Sequence, residues 1–350
     1  MHTFNKDHVK LLIEISEDIQ EFDIREREKI IQSGIENYTT LLAKEDIPSK
    51  EILDLYYNAL ERNADYIKGG LNKLADIILE NQKDNKEIIL TSLLRAAIPI
   101  GSVLFLILKE KTIKPVHHYS ISILKDVGID QIALQEILEN HSSEDIVIFD
   151  PWTGKGSISG QVKQHIESFN LKYNENINHD LYVLNDISNS AKYSVTSRDF
   201  LHPSAILNCT ISGLISRSIV PESSDKKHRV KSYLNHEVFK SLDKSQEYVL
   251  TIFNKDGLSF KDDNIKNNEF NFKEYFLKLS EKEDVPFNNI KPGICEVTRT
   301  LLRRVPRKII LKGDSADTEH IILMANKRNI QVEYNKDLPV NAIAILESKI

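Results

Sequence analysis

An α/β fold built on a mostly parallel sheet is what this sequence predicts, on three observations. Between about residues 85 and 210, short β-branched runs alternate with amphipathic stretches at helical spacing, and such alternation implies parallel strands joined by right-handed crossovers. Several of these runs end in loops of small, polar and charged residues, the kind of loop that an open sheet presents on its ligand side. A chain of 350 residues, 41% hydrophobic and 28% charged, is long and apolar enough to bury a sizeable core.

Taken in order, residues 1–80 read as an N-terminal helical region, rich in Glu, Lys, Ile and Leu and broken near residues 47–49. The sheet domain spans 81–250. Its predicted elements are strand 87–92, loop 93–98, helix 99–108, strand 116–123, helix 132–140, strand 145–149, helix 157–169 and strand 181–185. Pro99 suits the first turn of its helix. Residues 251–288 form a polar Asn/Lys/Asp-rich linker with room for one short helix. A small C-terminal α/β domain occupies 289–350, with EVTRTLLRR and DTEHIILMANKR as helices and KIILKG and AIAIL as strands.

Composition excludes several classes. A formal net charge of -6 argues against broad electrostatic binding to nucleic acid, while leaving room for a local patch. Two cysteines, Cys209 and Cys295, and no secretory leader point to a reducing cytoplasm and no structural zinc site. Residues 88–108 are apolar enough to suggest a membrane span. However, Arg95 lies inside the stretch, at a cost of about 2.5–3.5 kcal/mol near a span's centre, so it reads as a buried strand, loop and helix. Neither His117-His118 nor His228 and His236 has metal-ligand spacing.

The chemistry should lie in four loops at strand C-termini. DPWTGKGS, residues 150–157, is not a nucleotide P-loop: Phe149 stands where GxxxxGK[ST] needs its first glycine, and Gly156 follows Lys155. It nevertheless has the makings of an anion cradle, because small residues let backbone N–H groups approach a ligand at a helix N-terminus. Leu94, Arg95, Ala96 and Ala97 form a second such turn, fit to hold a diphosphate through backbone amides and one guanidinium. Residues 125–130 (KDVGID) form a charged loop suited to closing over a ligand through Lys125. The fourth loop follows Asp186. Cys209 and His202 invite a thiol-protease reading, although the sequence alone shows no paired thiolate, histidine and orienting group. In the C-terminal domain Arg299, Arg303, Arg304, Arg307 and Lys308 place five cations within ten residues, enough for a local phosphate-binding face.

QSGIENY, SLLRAAIPIG, HYSISILKDVGID, DPWTGKG and SRDFLHPSAILNCTISGLISRS together resemble the type I phosphoribosyltransferases. More narrowly, they resemble the phosphoribosyltransferase-like proteins of bacterial tellurite-resistance stress operons, the StiP type. GICEVTRTLLRRVP resembles the Pelota-type RNA-binding domain. The resemblance implies a phosphoribosyltransferase-type sheet and transfer of a phosphoribosyl group from phosphoribosyl diphosphate, with Mg²⁺, to an unidentified base-like acceptor. It also implies roles. Thr153, Gly154, Lys155, Gly156 and Ser157 would bind the 5-phosphate, and Leu94 to Ala97 the diphosphate. Asp150 and Lys125 would be catalytic, with Asp150 a single acid where the type I pattern has two. Asp186, Arg198 and Asp199 would contact the acceptor, and Arg217 a phosphate. Gly293, Glu296, Arg299, Arg303 and Arg304 would contact structured RNA, with Cys295 in the position of the family's Asn. A second copy of the chain, in a homodimer, is a further expected partner, although the sequence does not fix the oligomeric state. Two alternatives stand beside this reading: a catalytically inactive ligand-sensing or RNA-binding regulator, and a cysteine hydrolase.

Overall fold

The computed structural model describes residues 2–124, 127–260 and 271–347. The strands, in chain order, are β1 (Lys10–Leu12), β2 (Glu14–Ile15), β3 (Glu21–Phe22), β4 (Leu42–Ala43), β5 (Ile88–Leu94), β6 (Val116–Leu124), β7 (Gly128–Ile129) and β8 (Ile146–Thr153). They continue with β9 (Leu181–Asp186), β10 (Tyr193–Thr196), β11 (Arg229–Val230), β12 (Ile290–Pro292), β13 (Lys308–Leu311), β14 (Gln331–Tyr334) and β15 (Ala342–Ile345). The helices are α1 (Ile24–Gln32), α2 (Lys50–Asn81), α3 (Ala97–Lys111), α4 (Gln131–Leu138) and α5 (Ser157–Tyr173). They continue with α6 (Glu237–Ser241), α7 (Ser245–Phe253), α8 (Phe272–Glu283), α9 (Ile294–Arg303) and α10 (Glu319–Lys327).

The expected sheet is present. Its order is β1-β6-β5-β8-β9-β10, with β7 attached to β6. Every pairing along that order is parallel, and only β7 runs antiparallel. β5 is buried along all seven residues, as a central strand covered on both faces must be. Helices α2, α3 and α7 cover one face, where Ile67, Leu71, Val103, Leu104 and Val249 share a core with Leu90, Val147 and Phe149. Helices α4 and α5 cover the other, with Leu134, Ile137, Val162 and Ile166 against Ile89, Ile148 and Val183.

The N-terminal region differs from its expected all-helical form. α2 is a single 32-residue helix with Ser49 as its N-cap, but four short strands precede it, and β1 closes one edge of the main sheet. The run Leu11-Leu12-Ile13 is buried. Tertiary pairing with β6 overrode the helical propensity of the surrounding Glu and Lys residues. β8 also runs to Thr153 rather than stopping at residue 149, which brings Trp152 into the sheet.

The C-terminal sheet, β12-β15-β13-β14, contains two strands, β12 and β14, that the sequence pattern did not announce. Its helix α9 does not stand apart from the rest. Ile294, Val297 and Leu301 belong to the same continuous core as Phe200, Leu201 and Tyr248.

Candidate functional site

The C-terminal ends of the parallel strands open onto a cavity of about 470 Å³, where open α/β sheets place their ligands. Leu93 to Ala96 at the end of β5, Ile123 and Leu124 at the end of β6, and Asp150 with Trp152 to Lys155 at the end of β8 form one side. The C-terminal unit forms the other, through Asn289, Lys291, Glu296, Arg299, Arg303 and Arg304. Tyr38 and Arg217 complete the wall. Arg95, Arg217, Arg299, Arg303, Arg304, Lys155 and Lys291 outnumber the lining acids Asp150 and Glu296, so the space selects for negative charge. The Nε atoms of Arg95, Arg217 and Arg303 are buried without a hydrogen-bond partner.

Asp150 does line the cavity. Burial pushes its carboxyl well above the usual carboxylate range, nearby Glu296 adds to the effect, and Arg299 opposes it. Glu296 accepts a hydrogen bond from Trp152 Nε1 at 3.3 Å. Gly154 is needed for a close approach, since a Cβ there would lie 2.8 Å from Glu296 Cγ and 3.2 Å from the Pro292 carbonyl. Gly156 has φ +80° and serves as the N-cap of α5. Thr153 Oγ1 lies 3.4 Å from Ser190 Oγ.

Several expected site residues are occupied elsewhere. Lys155 donates to the carbonyls of Phe287 and Ile290 and lies over the Phe287 ring, so the turn is fastened to the C-terminal unit. Arg95 donates to Glu45 Oε1 at 2.6 Å, the Ile215 carbonyl at 2.9 Å and Asn208 Oδ1 at 2.7 Å. That geometry makes it a buried anchor rather than a waiting diphosphate clamp. Ala97 is fully buried as the first residue of α3 and does not reach the cavity. Lys125 lies outside the described residues.

The expected acceptor contacts are not brought to the cavity. Asp186 caps its own loop, accepting from Ser188 N at 2.9 Å and Ala191 N at 2.7 Å. Arg198 is exposed and lies over the Tyr66 ring. Asp199 instead holds the C-terminal unit, accepting from Ile294 N at 2.9 Å and Asn341 N at 2.7 Å. Burial raises its carboxyl to about 6 against the pull of those hydrogen bonds. The expected RNA contacts also point inward. Gly293 packs against Ile187 and Asp199, Arg299 is buried, and Arg304 pairs with Glu28 through two 2.5 Å bonds. The amphipathic spacing of α9 does set its cations on one face, but that face closes the cavity.

Sequence spacing pairs Cys209 with His202; the structure does not. Cys209 N donates to Glu45 Oε2 at 3.1 Å. Burial, with Glu45 beside it, pushes this thiol well above its ordinary range. The sulfur next to the His202 backbone belongs to Cys295, which accepts from His202 N at 3.3 Å and donates to the Phe200 carbonyl at 3.5 Å. Burial raises that thiol as well. The His202 ring lies against Trp152 and Phe200. Its Nε2 is 2.9 Å from Asn185 Oδ1, and its Nδ1 is buried without a partner. Cys295 is 93 residues away from His202, so no local pattern could have revealed the approach.

Residues 2–253 match the family described as "Tellurite-like stress resistance cysteine protease StiP". The chain belongs to the StiP family. A curated relative, "Cysteine protease StiP" of Acinetobacter baylyi, is 30% identical over 351 residues, covering 94% of this chain and 90% of the relative. Residues 277–348 match the PELOTA RNA binding domain, which supports RNA as a partner. Among solved structures, hypoxanthine phosphoribosyltransferase from Trypanosoma cruzi is 15% identical, covers 39% of this chain and 76% of that one, and has a TM-score of 0.30. The Leishmania tarentolae HGPRT-ase is 16% identical, covers 36% and 69%, and has a TM-score of 0.27. Likeness at that level carries no argument about activity.

The StiP findings overturn the expected transferase. Family and curated relative are both named for a cysteine protease, a hydrolase rather than a phosphoribosyl-transferring glycosyltransferase. The expected phosphoribosyl diphosphate falls with it, and so does the reason for expecting Mg²⁺. No described helix is long and apolar enough to cross a membrane.

Proposed function

We propose that this StiP-family chain is a thiol hydrolase acting on peptide bonds, with Cys209 as its nucleophile. One observation carries the reading: Cys209 is the single cysteine within residues 2–253, the span matched by the cysteine-protease description. Its neighbours have suitable chemistry. A thiol attacks once a base takes its proton, and the Glu45 carboxylate stands beside it, already held by Arg95. As sulfur attacks the substrate carbonyl, the proton passes to Glu45 and then to the departing amine. Water hydrolyses the resulting thioester. The Arg95 guanidinium and the Asn208 amide are the nearby groups able to stabilise the oxyanion.

A void of about 10 Å³ lies between Glu45, Arg95, Asn208, Arg217 and Arg303. It has room for one water and not for a peptide, so substrate entry requires the 42–45 segment to move. The cation-rich cavity on the other side of Arg95 supports a substrate bearing negative charge, seated against Thr153, Gly154, Ser157 and the arginines.

A second reading rests on the arrangement of Cys295 at the start of α9, the His202 ring and Asn185, which have the residue types of a thiol-protease triad. Cys209→Ser and Cys295→Ser separate the two readings. Peptide hydrolysis, and covalent labelling by a peptidyl thiol-reactive probe mapped by mass spectrometry, should be lost in Cys209→Ser and retained in Cys295→Ser. Full activity in Cys209→Ser with loss in Cys295→Ser would transfer the role to the second set.

A further inference from the structure

Three residues from separate segments meet at the end of the sheet opposite the cavity. Glu87 immediately precedes β5, His117 is the second residue of β6, and His141 lies between α4 and β8. The parallel register sets Ile88 opposite Val116 and Ile89 opposite His117, which brings Glu87 beside the start of β6. His141 Nδ1 lies 3.0 Å from Glu87 Oε1, and His117 Nε2 lies 3.5 Å from Glu87 Oε2. One donor atom from each residue falls within 4.8 Å of the others. The residues stand 30 and 24 positions apart in sequence, so the spacing of a local metal motif is absent while the spatial cluster is present.

We propose that Glu87, His117 and His141 hold one divalent cation of the zinc class. Zn–N and Zn–O bonds of about 2.0–2.2 Å at tetrahedral angles put neighbouring donor atoms about 3.3 Å apart. Each imidazole already lies near that value from one of the two Glu87 carboxylate oxygens, His141 from Oε1 and His117 from Oε2. Closing the third edge needs a small rotation of His117, whose side chain is 45% exposed and has room to turn. Imidazole with carboxylate suits zinc and its late first-row neighbours better than magnesium or calcium.

The surroundings supply the orientation that metal-binding histidines need. His141 Nε2 is 2.8 Å from Tyr119 Oη. An Nε2–H donated to that hydroxyl leaves Nδ1 unprotonated and aimed at Glu87, the outer contact typical of a zinc-bound imidazole. The fourth position opens to solvent through His117 and is left to water. β5 separates Glu87 from Arg95 by about 26 Å along the strand, so the ion ties three connections together and takes no part in thiol chemistry. The rival account is a carboxylate that only bridges two imidazoles by hydrogen bonds.

Metal titration of the full, tag-free chain after dialysis against a chelator separates the two. Co²⁺ alone should bind one equivalent at pH 7.5 and give the visible d–d absorption of a four-coordinate site. Zn²⁺, competed against a chromophoric chelator, should displace it. His117→Ala and Glu87→Gln should each weaken binding by at least about tenfold and abolish the Zn²⁺-dependent rise in melting temperature. Exposed His236→Ala should change neither. Absence of stoichiometric Co²⁺ binding in the wild type, or undiminished binding in folded His117→Ala, would overturn the proposal.

Discussion

Tyr38 stands among arginines: the Cζ atoms of Arg217, Arg27 and Arg304 lie 4.0, 4.3 and 5.8 Å from its ring centroid. Burial alone would push the phenol up, but Arg217, Arg303, Arg27 and Arg304 together bring it down to about 6. Close to neutrality, then, Tyr38 should be a phenolate, a fixed anion that balances part of the cavity's positive charge until a ligand supplies its own. Near-ultraviolet difference spectra should show one tyrosine ionising around pH 6, and Tyr38→Phe should remove that step. An anion entering the cavity competes with the phenolate for the same guanidinium groups, so added oligoanion should move the step upward. A first tyrosine transition no lower than about pH 9 would mean that this field is screened.

Helix α9 carries cations that the sequence offers to RNA and that make contacts within the chain as well. The sequence gathers Arg299, Arg303 and Arg304 into one cationic stretch; Arg299 and Arg303 lie on α9 and Arg304 follows its last turn, and the three turn toward Tyr38, Glu28 and the main sheet. Removing the guanidinium of Arg304 strands a buried Glu28 carboxylate. Arg304→Ala should therefore cost about 3 kcal/mol in denaturant unfolding, while the salt dependence of any RNA binding by the C-terminal unit stays unchanged. A reduced salt slope with unaltered stability would instead return Arg304 to the RNA surface. The strand-turn-helix around Asp150 was legible because β-branched residues, glycine and hydroxyls state their preferences within a few positions. Cys295 beside His202, Glu45 beside Cys209 and β1 beside β6 were not, because each depends on contacts between segments about 90 to 164 residues apart.

At the scale of the whole molecule, one continuous core joins the sheet domain to the C-terminal unit, and that core encloses uncharged histidines. Burial lowers His118 to about 4 and His202 and His320 to about 3. Their unfolded counterparts bind protons near 6.5. Below that pH the unfolded chain takes up more protons than the folded one, so stability falls with pH between about 6.5 and 4. By pH 5 each histidine withdraws about 2 kcal/mol. Tyr38 acts in the same sense, because its folded pKa lies below its unfolded one. Asp150 and Asp199 act in the opposite sense, since both are raised by burial and gain protons early in the folded state. Three histidines and a phenolate outweigh two carboxyls, and the net expectation is a loss of a few kcal/mol between pH 7 and 5. Chemical denaturation at those two pH values measures it directly. His320→Gln, if it folds, should flatten the dependence by removing one of the three proton-binding terms, and a chain equally stable at both values would show that water reaches these rings in the folded state.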